Sequence, residues 1–161
     1  MRSRAVVATA ALALMASAAT MASGVGIGGV PATGSGVSVN IVSHDKLTAM
    51  PKPTLLIDTG VVSGSPVGSG TIELTYLLQP RQSMAKTTFT IRNGKGSVSG
   101  ACASTYTTSA AQILMTGGCR ILRGTGSYKG ISSTPLQFTA DHNLITLKVL
   151  VTMQGRASYS K

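Results

Sequence analysis

Residues able to carry chemistry are few in this chain. Four acids, Asp45, Asp58, Glu73 and Asp141, stand beside two histidines, His44 and His142, and two cysteines, Cys102 and Cys119. General acid–base work needs a carboxyl or imidazole held away from water, where burial moves its proton affinity toward neutrality. Asp58 has the neighbours for that role, since Leu55, Leu56, Ile57 and Val61 flank it. Two readings stand: a partly buried acid facing an interior space, and a strand-end residue that caps backbone near Gly60. The second is the common fate of Asp beside Gly and is the favoured expectation, with Asp58 kept as the one candidate for a catalytic role.

The pairs His44-Asp45 and Asp141-His142 carry metal-ligand types. Each is an adjacent pair in a turn-like segment, however, and a shared site would use every His in the chain. Both pairs are expected to be surface turn residues, with no metal and no cofactor. Glu73 falls on a Thr-rich strand face and is expected to be solvated. Ser, His and Asp are all present, but the Gly-x-Ser-x-Gly elbow of a serine hydrolase is not.

What the cysteines do depends on the compartment. Arg2 and Arg4 precede an uncharged run from Ala5 to Ala22 that closes on small residues, the pattern of a secretory signal. The run is Ala-rich and at the short edge of the roughly 20 apolar residues needed to span a bilayer, so a stable membrane anchor is not expected. The sequence predicts a signal peptide over 1–22, a flexible Gly- and Ser-rich lead-in over 23–36, and one domain over 37–161. In an oxidising compartment Cys102 and Cys119 are expected to pair, which stabilises by about 3 kcal/mol in the chain-entropy model. Redox catalysis would favour Cys-x-x-Cys spacing, which is absent.

The elements that must position these residues read as strands. Val37, Val39 and Ile41 alternate with Ser38 and Asn40; Ile72, Leu74, Tyr76 and Leu78 share a face; Phe89 and Ile91 share another. Asn93-Gly94 between alternating runs signals a type I′ hairpin, which would set Val98 opposite Phe89 and Gly100 opposite Thr87. Leu136, Phe138 and Ala140 precede a turn triplet, Asp141-His142-Asn143, and the run Leu144 to Met153 is expected to be a long closing strand. Seven to nine short strands predict an all-β domain, a small antiparallel barrel of about eight strands or else a β-sandwich. A barrel has the advantage of leaving no strand edge exposed.

The segment Ile121-Leu122-Arg123-Gly124-Thr125-Gly126-Ser127-Tyr128-Lys129-Gly130-Ile131 resembles the Ile-x-Gly-Gly-Thr-Gly-x-Tyr-x-Gly-Ala segment of the allene oxide cyclase barrel-like and dirigent-like superfamily. Arg123 stands for the first Gly of the usual pair, Ile131 for the Ala, and Ser133 for a final Gly. Gly124, Thr125, Gly126, Tyr128 and Gly130 are the matching positions, and Tyr128 suits a plug at a barrel end. The resemblance implies a barrel able to hold one small hydrophobic ligand, with Tyr76, Phe89, Tyr106 and Tyr128 as candidate contacts. If the protein is an enzyme, the resemblance implies a cyclase-like isomerase; no catalytic residue is carried over by position. A phosphate-binding loop is not expected, because the spacing is Gly-x-Gly-x-x-x-Gly and no helix follows.

Charge suggests a second partner class. The chain carries +10 with only 11% charged residues, and +8 without Arg2 and Arg4. Lys86, Arg92 and Lys95 cluster at one hairpin, and Arg120, Arg123 and Lys129 around the Gly-rich segment. Such patches attract polyanions. For an exported protein an anionic envelope polymer or lipid headgroup is the expected partner, rather than nucleic acid.

Overall fold

Alternation of apolar and polar side chains turns nearly every segment into a strand, because period-two patterning buries one face and solvates the other. The computed structural model describes residues 36–160; the expected signal peptide, the lead-in up to residue 35, and Lys161 lie outside the described residues. The strands are β1 (Val37–Lys52), β2 (Leu55–Ser65), β3 (Gly70–Gln79), β4 (Met84–Asn93), β5 (Gly96–Thr108), β6 (Gln112–Gly124), β7 (Ile131–Ser133), β8 (Leu136–Asn143) and β9 (Lys148–Tyr159). Neighbours pair antiparallel in the order β1-β2-β3-β4-β5-β6-β8-β9, and β1 pairs with β9 from Val37↔Ala157 to Lys46↔Lys148. The sheet thus closes into an eight-stranded antiparallel barrel, and β7 is an extra strand pairing with the end of β9. Closure settles the choice between barrel and sandwich. No helix among the described residues is long and apolar enough to cross a membrane.

The barrel has two unlike poles. The β1–β2, β3–β4, β5–β6 and β8–β9 connections gather at one, here called the hairpin pole. At the other, the segment after β6 folds over the opening and Tyr128, 4% exposed, closes it. The Tyr128 hydroxyl donates to the Val67 carbonyl at 3.1 Å and accepts from Asn93 Nδ2 at 2.8 Å. Gly126, at φ 59°, is needed there: a Cβ would run into the Lys95 carbonyl of the neighbouring turn. The expected plug is therefore a structural use of the Gly-rich segment. Between the poles Ile41, Leu74, Ile91, Met115, Phe138 and Met153 fill the lumen, each at most 2% exposed.

Three local expectations are corrected. Asn93 pairs with Gly96, so Phe89 faces Gly100 and Ile91 faces Val98, a register two residues from the type I′ alignment. Gly94 does not take a positive φ; Asn93 Oδ1 instead accepts from the Lys95 N–H at 2.9 Å, and the turn is built by that side chain. Even-numbered slips preserve the face, so the inward set is unchanged. Asp141, His142 and Asn143 belong to β8 rather than to a turn, and the turn falls over 144–147, ahead of a closing strand that starts later than expected, at Lys148, and runs on to Tyr159. Asn143 Oδ1 accepts from the Ile145 and Thr146 N–H groups and so terminates β8.

Cys102 and Cys119 are direct partners in the β5–β6 ladder and form a disulfide, with a Cα separation of 3.9 Å. Replacing both by Ala is expected to lower the melting temperature while leaving the far-ultraviolet β signal intact, because the ladder on either side does not depend on the bond.

Candidate functional site

The interior is apolar except for one cluster toward the hairpin pole. It forms because three alternating strands each place a polar residue on the inward face: Ser43 and Asp45 follow Val39 and Ile41 on β1, Asp58 follows Leu56 on β2, and His142 follows Phe138 and Ala140 on β8. Tyr76 on β3 joins them, following Ile72 and Leu74. Asp58 and Tyr76 are 0% exposed, His142 is 1% and Asp45 is 6%. Gly60, opposite Asp45 on β2, makes room for its carboxylate, since a Cβ there would overlap both the Asp45 side chain and the His44 carbonyl.

Asp58 Oδ2 lies 2.8 Å from His142 Nε2, an ion-pair distance without hydrogen-bond alignment. β2 and β8 have two strands between them one way around the ring and four the other, so this contact crosses the lumen. The Tyr76 ring meets the His142 ring edge-to-face at a centroid distance of 4.8 Å. Ser43 donates to Asp45 Oδ2 at 2.8 Å. The other polar atoms lack partners among the described residues: Asp45 Oδ1, Asp58 Oδ1, the Tyr76 hydroxyl and His142 Nδ1, with the Thr87 and Ser104 hydroxyls on β4 and β5. Leaving a buried polar group unpaired costs about 1–3 kcal/mol, so a cluster of them marks the candidate site.

Burial sets the proton affinities. Asp45 is pushed from 3.8 up to about 6, mainly because its charge is stripped of water and also because Asp58 repels it; the Ser43 hydrogen bond and His142 offset part of this. Tyr76 is pushed up by burial and then by the charges of Asp58 and Asp45, so it stays a neutral hydroxyl. The cluster therefore holds a carboxyl that titrates near neutrality, a second carboxyl facing an imidazole, and a phenol that can donate. That is the equipment for binding a polar group and for moving a proton to or from it.

Several expectations about individual residues change. Asp58 is no strand-end cap: it sits inside β2, and the less favoured reading, a buried acid in the lumen, holds. Asp45 and His142 are not surface turn residues but inward strand residues, whereas His44, next to Asp45, points outward and is exposed, and Asp141 is half-buried on the outer wall, where it accepts from Gln112 Nε2 at 2.7 Å. Glu73 is exposed as expected. The four candidate aromatics do not share one wall. Tyr76 belongs to the polar cluster, and Phe89 lies across Gly100, where its ring takes the space a side chain would occupy. Tyr128 is the plug, and Tyr106 is half-buried near the hairpin pole. Lys86 and Arg92 share the outer face of β4, and Lys95 is exposed in the turn beyond. A depression of about 580 Å³ is on that outer wall, floored by Ala101, Ala103 and Gly118 and flanked by Lys86, Arg120 and Leu122.

The signal for Asp45 and His142 was present as parity. Val39, Ile41, Ser43, Asp45 and Leu47 are one period-two series, and Leu136, Phe138, Ala140 and His142 are another. Continuing either series by one step places the polar residue inside. No family model matches the chain, and no curated protein matches it. Among solved structures it is similar to a pyocyanin demethylase at 16% sequence identity and a TM-score of 0.38, over 73% of this chain and 98% of that one.

Proposed function

We propose that this is an exported barrel that binds a small molecule through the buried cluster of Asp45, Asp58, Tyr76 and His142. The observation that carries the reading is the set of unpartnered polar atoms inside the lumen. The apolar part of the lumen is occupied by side chains, so the ligand's recognised part is a polar group with hydrogen-bond donors rather than a hydrocarbon body. The hairpin pole is the end nearer the cluster, and Leu47, Leu78 and Ile113 cover it there at 7–8% exposure. The allene oxide cyclase-like, dirigent-like resemblance of the Gly-rich segment supports a ligand-holding barrel, and the Cys102–Cys119 disulfide suits a compartment outside the reducing cytosol.

The test is native mass spectrometry of the exported protein, followed by thermal-shift titration with small donor-bearing molecules. The wild type is expected to carry or take up a ligand. Asp58→Asn combined with His142→Gln should lose it while keeping the β signal, and Tyr76→Phe should bind more weakly, because it deletes a donor of the cluster. An empty wild-type mass together with no thermal shift would reject the reading. A second reading, a cyclase-like isomerase using the same cluster for proton transfer, is favoured by Asp45, whose carboxyl titrates near 6. It requires Asp58→Asn to abolish turnover of the bound molecule without loss of binding.

A further inference from the structure

Exposed apolar side chains are distributed very unevenly. Nine large hydrophobic residues are exposed among the described residues, and all but Val61 and Leu122 lie at or within three residues of the turns of the hairpin pole. Met50 (56%), Ile145 (76%) and Leu147 (38%) are at the tips of the β1–β2 and β8–β9 hairpins, which the Leu47 N–H to Leu147 carbonyl bond of 2.9 Å holds side by side. Leu77, Leu114 and Leu150 continue this apolar fringe onto the outer wall.

The charge at the same pole is predominantly positive, with the half-buried Asp141 as its acid on the outer wall. Lys46 and Lys148 are directly opposite each other on β1 and β9, both exposed, and Lys52 and Arg81 stand in neighbouring hairpins. Like charges facing each other across strands are destabilising. Nothing on the protein relieves them: among the described residues no Lys or Arg forms a salt bridge. Of the four acids, Asp45 and Asp58 are buried, Asp141 is half-buried, hydrogen-bonded by Gln112 and in no salt bridge with a lysine, and Glu73 pairs with Thr59 and Thr90 away from the turns.

Protruding apolar tips ringed by unpaired lysines match the two layers of an anionic bilayer surface, hydrocarbon beneath and negative headgroups around. We propose that the hairpin pole docks on an anionic lipid membrane, with Met50, Ile145 and Leu147 entering the interface and Lys46, Lys52 and Lys148 meeting the headgroups. A second copy of the chain is the poorer occupant, because two such poles face to face would bring the same lysines together. This proposal is independent of what the lumen binds.

Flotation with vesicles of phosphatidylcholine alone, or of phosphatidylcholine with phosphatidylglycerol, tests it. The wild type is expected to float with the anionic vesicles, to stay behind with the neutral ones, and to be released by salt. Lys46→Gln with Lys148→Gln should weaken binding about thirtyfold, at roughly fivefold for each lysine. Ile145→Gln should weaken it about tenfold. All three positions are exposed, and the β signal confirms that the variants fold. The matched control is Arg92→Gln, Lys95→Gln and Lys129→Gln at the opposite pole, which should have a much smaller effect. The proposal is overturned by equal binding to both vesicle types, by no binding to anionic vesicles, or by a control triple as damaging as the hairpin-pole lysines. It is equally overturned if light scattering shows dimers that Ile145→Gln dissociates, since the apolar tips would then be covered by a second copy.

Discussion

Asp58→Asn is expected to destabilise the protein by about 1–3 kcal/mol at neutral pH. Removing the carboxylate that faces a buried imidazole leaves that polar ring without its counterpart in a medium that cannot solvate it, and losses of about 1–3 kcal/mol follow. Here the abandoned partner is His142, 1% exposed, whose Nε2 sits 2.8 Å from the lost charge and whose Nδ1 has no partner. Chemical denaturation measures the loss. Repeating it in the His142→Gln background separates the pair from the rest of the cluster: the cost of Asp58→Asn should then largely disappear. An undiminished cost in that background would mean that Asp58 acts through contacts other than His142.

Asp45→Asn, in the same cluster, is expected to do the opposite and stabilise by as much as about 3 kcal/mol at pH 7. The two acids differ in partner: Asp58 faces the imidazole, whereas Asp45 is held only by Ser43 and is repelled by Asp58. The rise of the Asp45 carboxyl from 3.8 to about 6 means that the folded protein holds this proton more tightly than the unfolded chain. Between about pH 4 and pH 6 the folded state binds the extra proton, so stability falls as pH rises through that window and levels off above it. The penalty at neutral pH corresponds to about 3 kcal/mol. Asn keeps an oxygen for the Ser43 hydroxyl and carries no charge, so it should flatten the pH dependence as well as raise the plateau. Denaturant midpoints from pH 4 to 8 check both, and a variant whose stability still falls over that window would put the titration on another group. A site that is more stable once disarmed is the usual mark of function built at the expense of stability.

The barrel itself was legible because period two is a strong signal: once Ile72, Leu74, Tyr76 and Leu78 share a face, a strand with one wet side follows. The cluster was less legible, and for a definite reason. Asp, His and Asn are turn formers by composition, and local chemistry read in that way moves Asp45, Asp58 and His142 to the surface. Within a closed sheet, parity overrides composition. A polar residue in the inward register goes inside whatever its turn propensity, because turning one residue outward would turn the whole strand. The hairpin register escaped for a smaller reason. Asn93 uses its side chain to build the turn instead of adopting the left-handed backbone that Asn-Gly usually signals. Contacts between strands distant in sequence, such as Asp58 on β2 with His142 on β8, have no local signature at all.

The closure of the ring by β1 and β9 fixes where the polypeptide enters and leaves. Val37 pairs with Ala157 at the plug end, so the first and last strands begin and finish side by side, both pointing away from the four hairpins. A laboratory handle joined beside Val37 or Tyr159 then grips the barrel by its plug end and leaves the four hairpins facing outward. A sensor surface bearing the barrel by such a handle would present the lysine-ringed hairpin tips to solution in a uniform orientation.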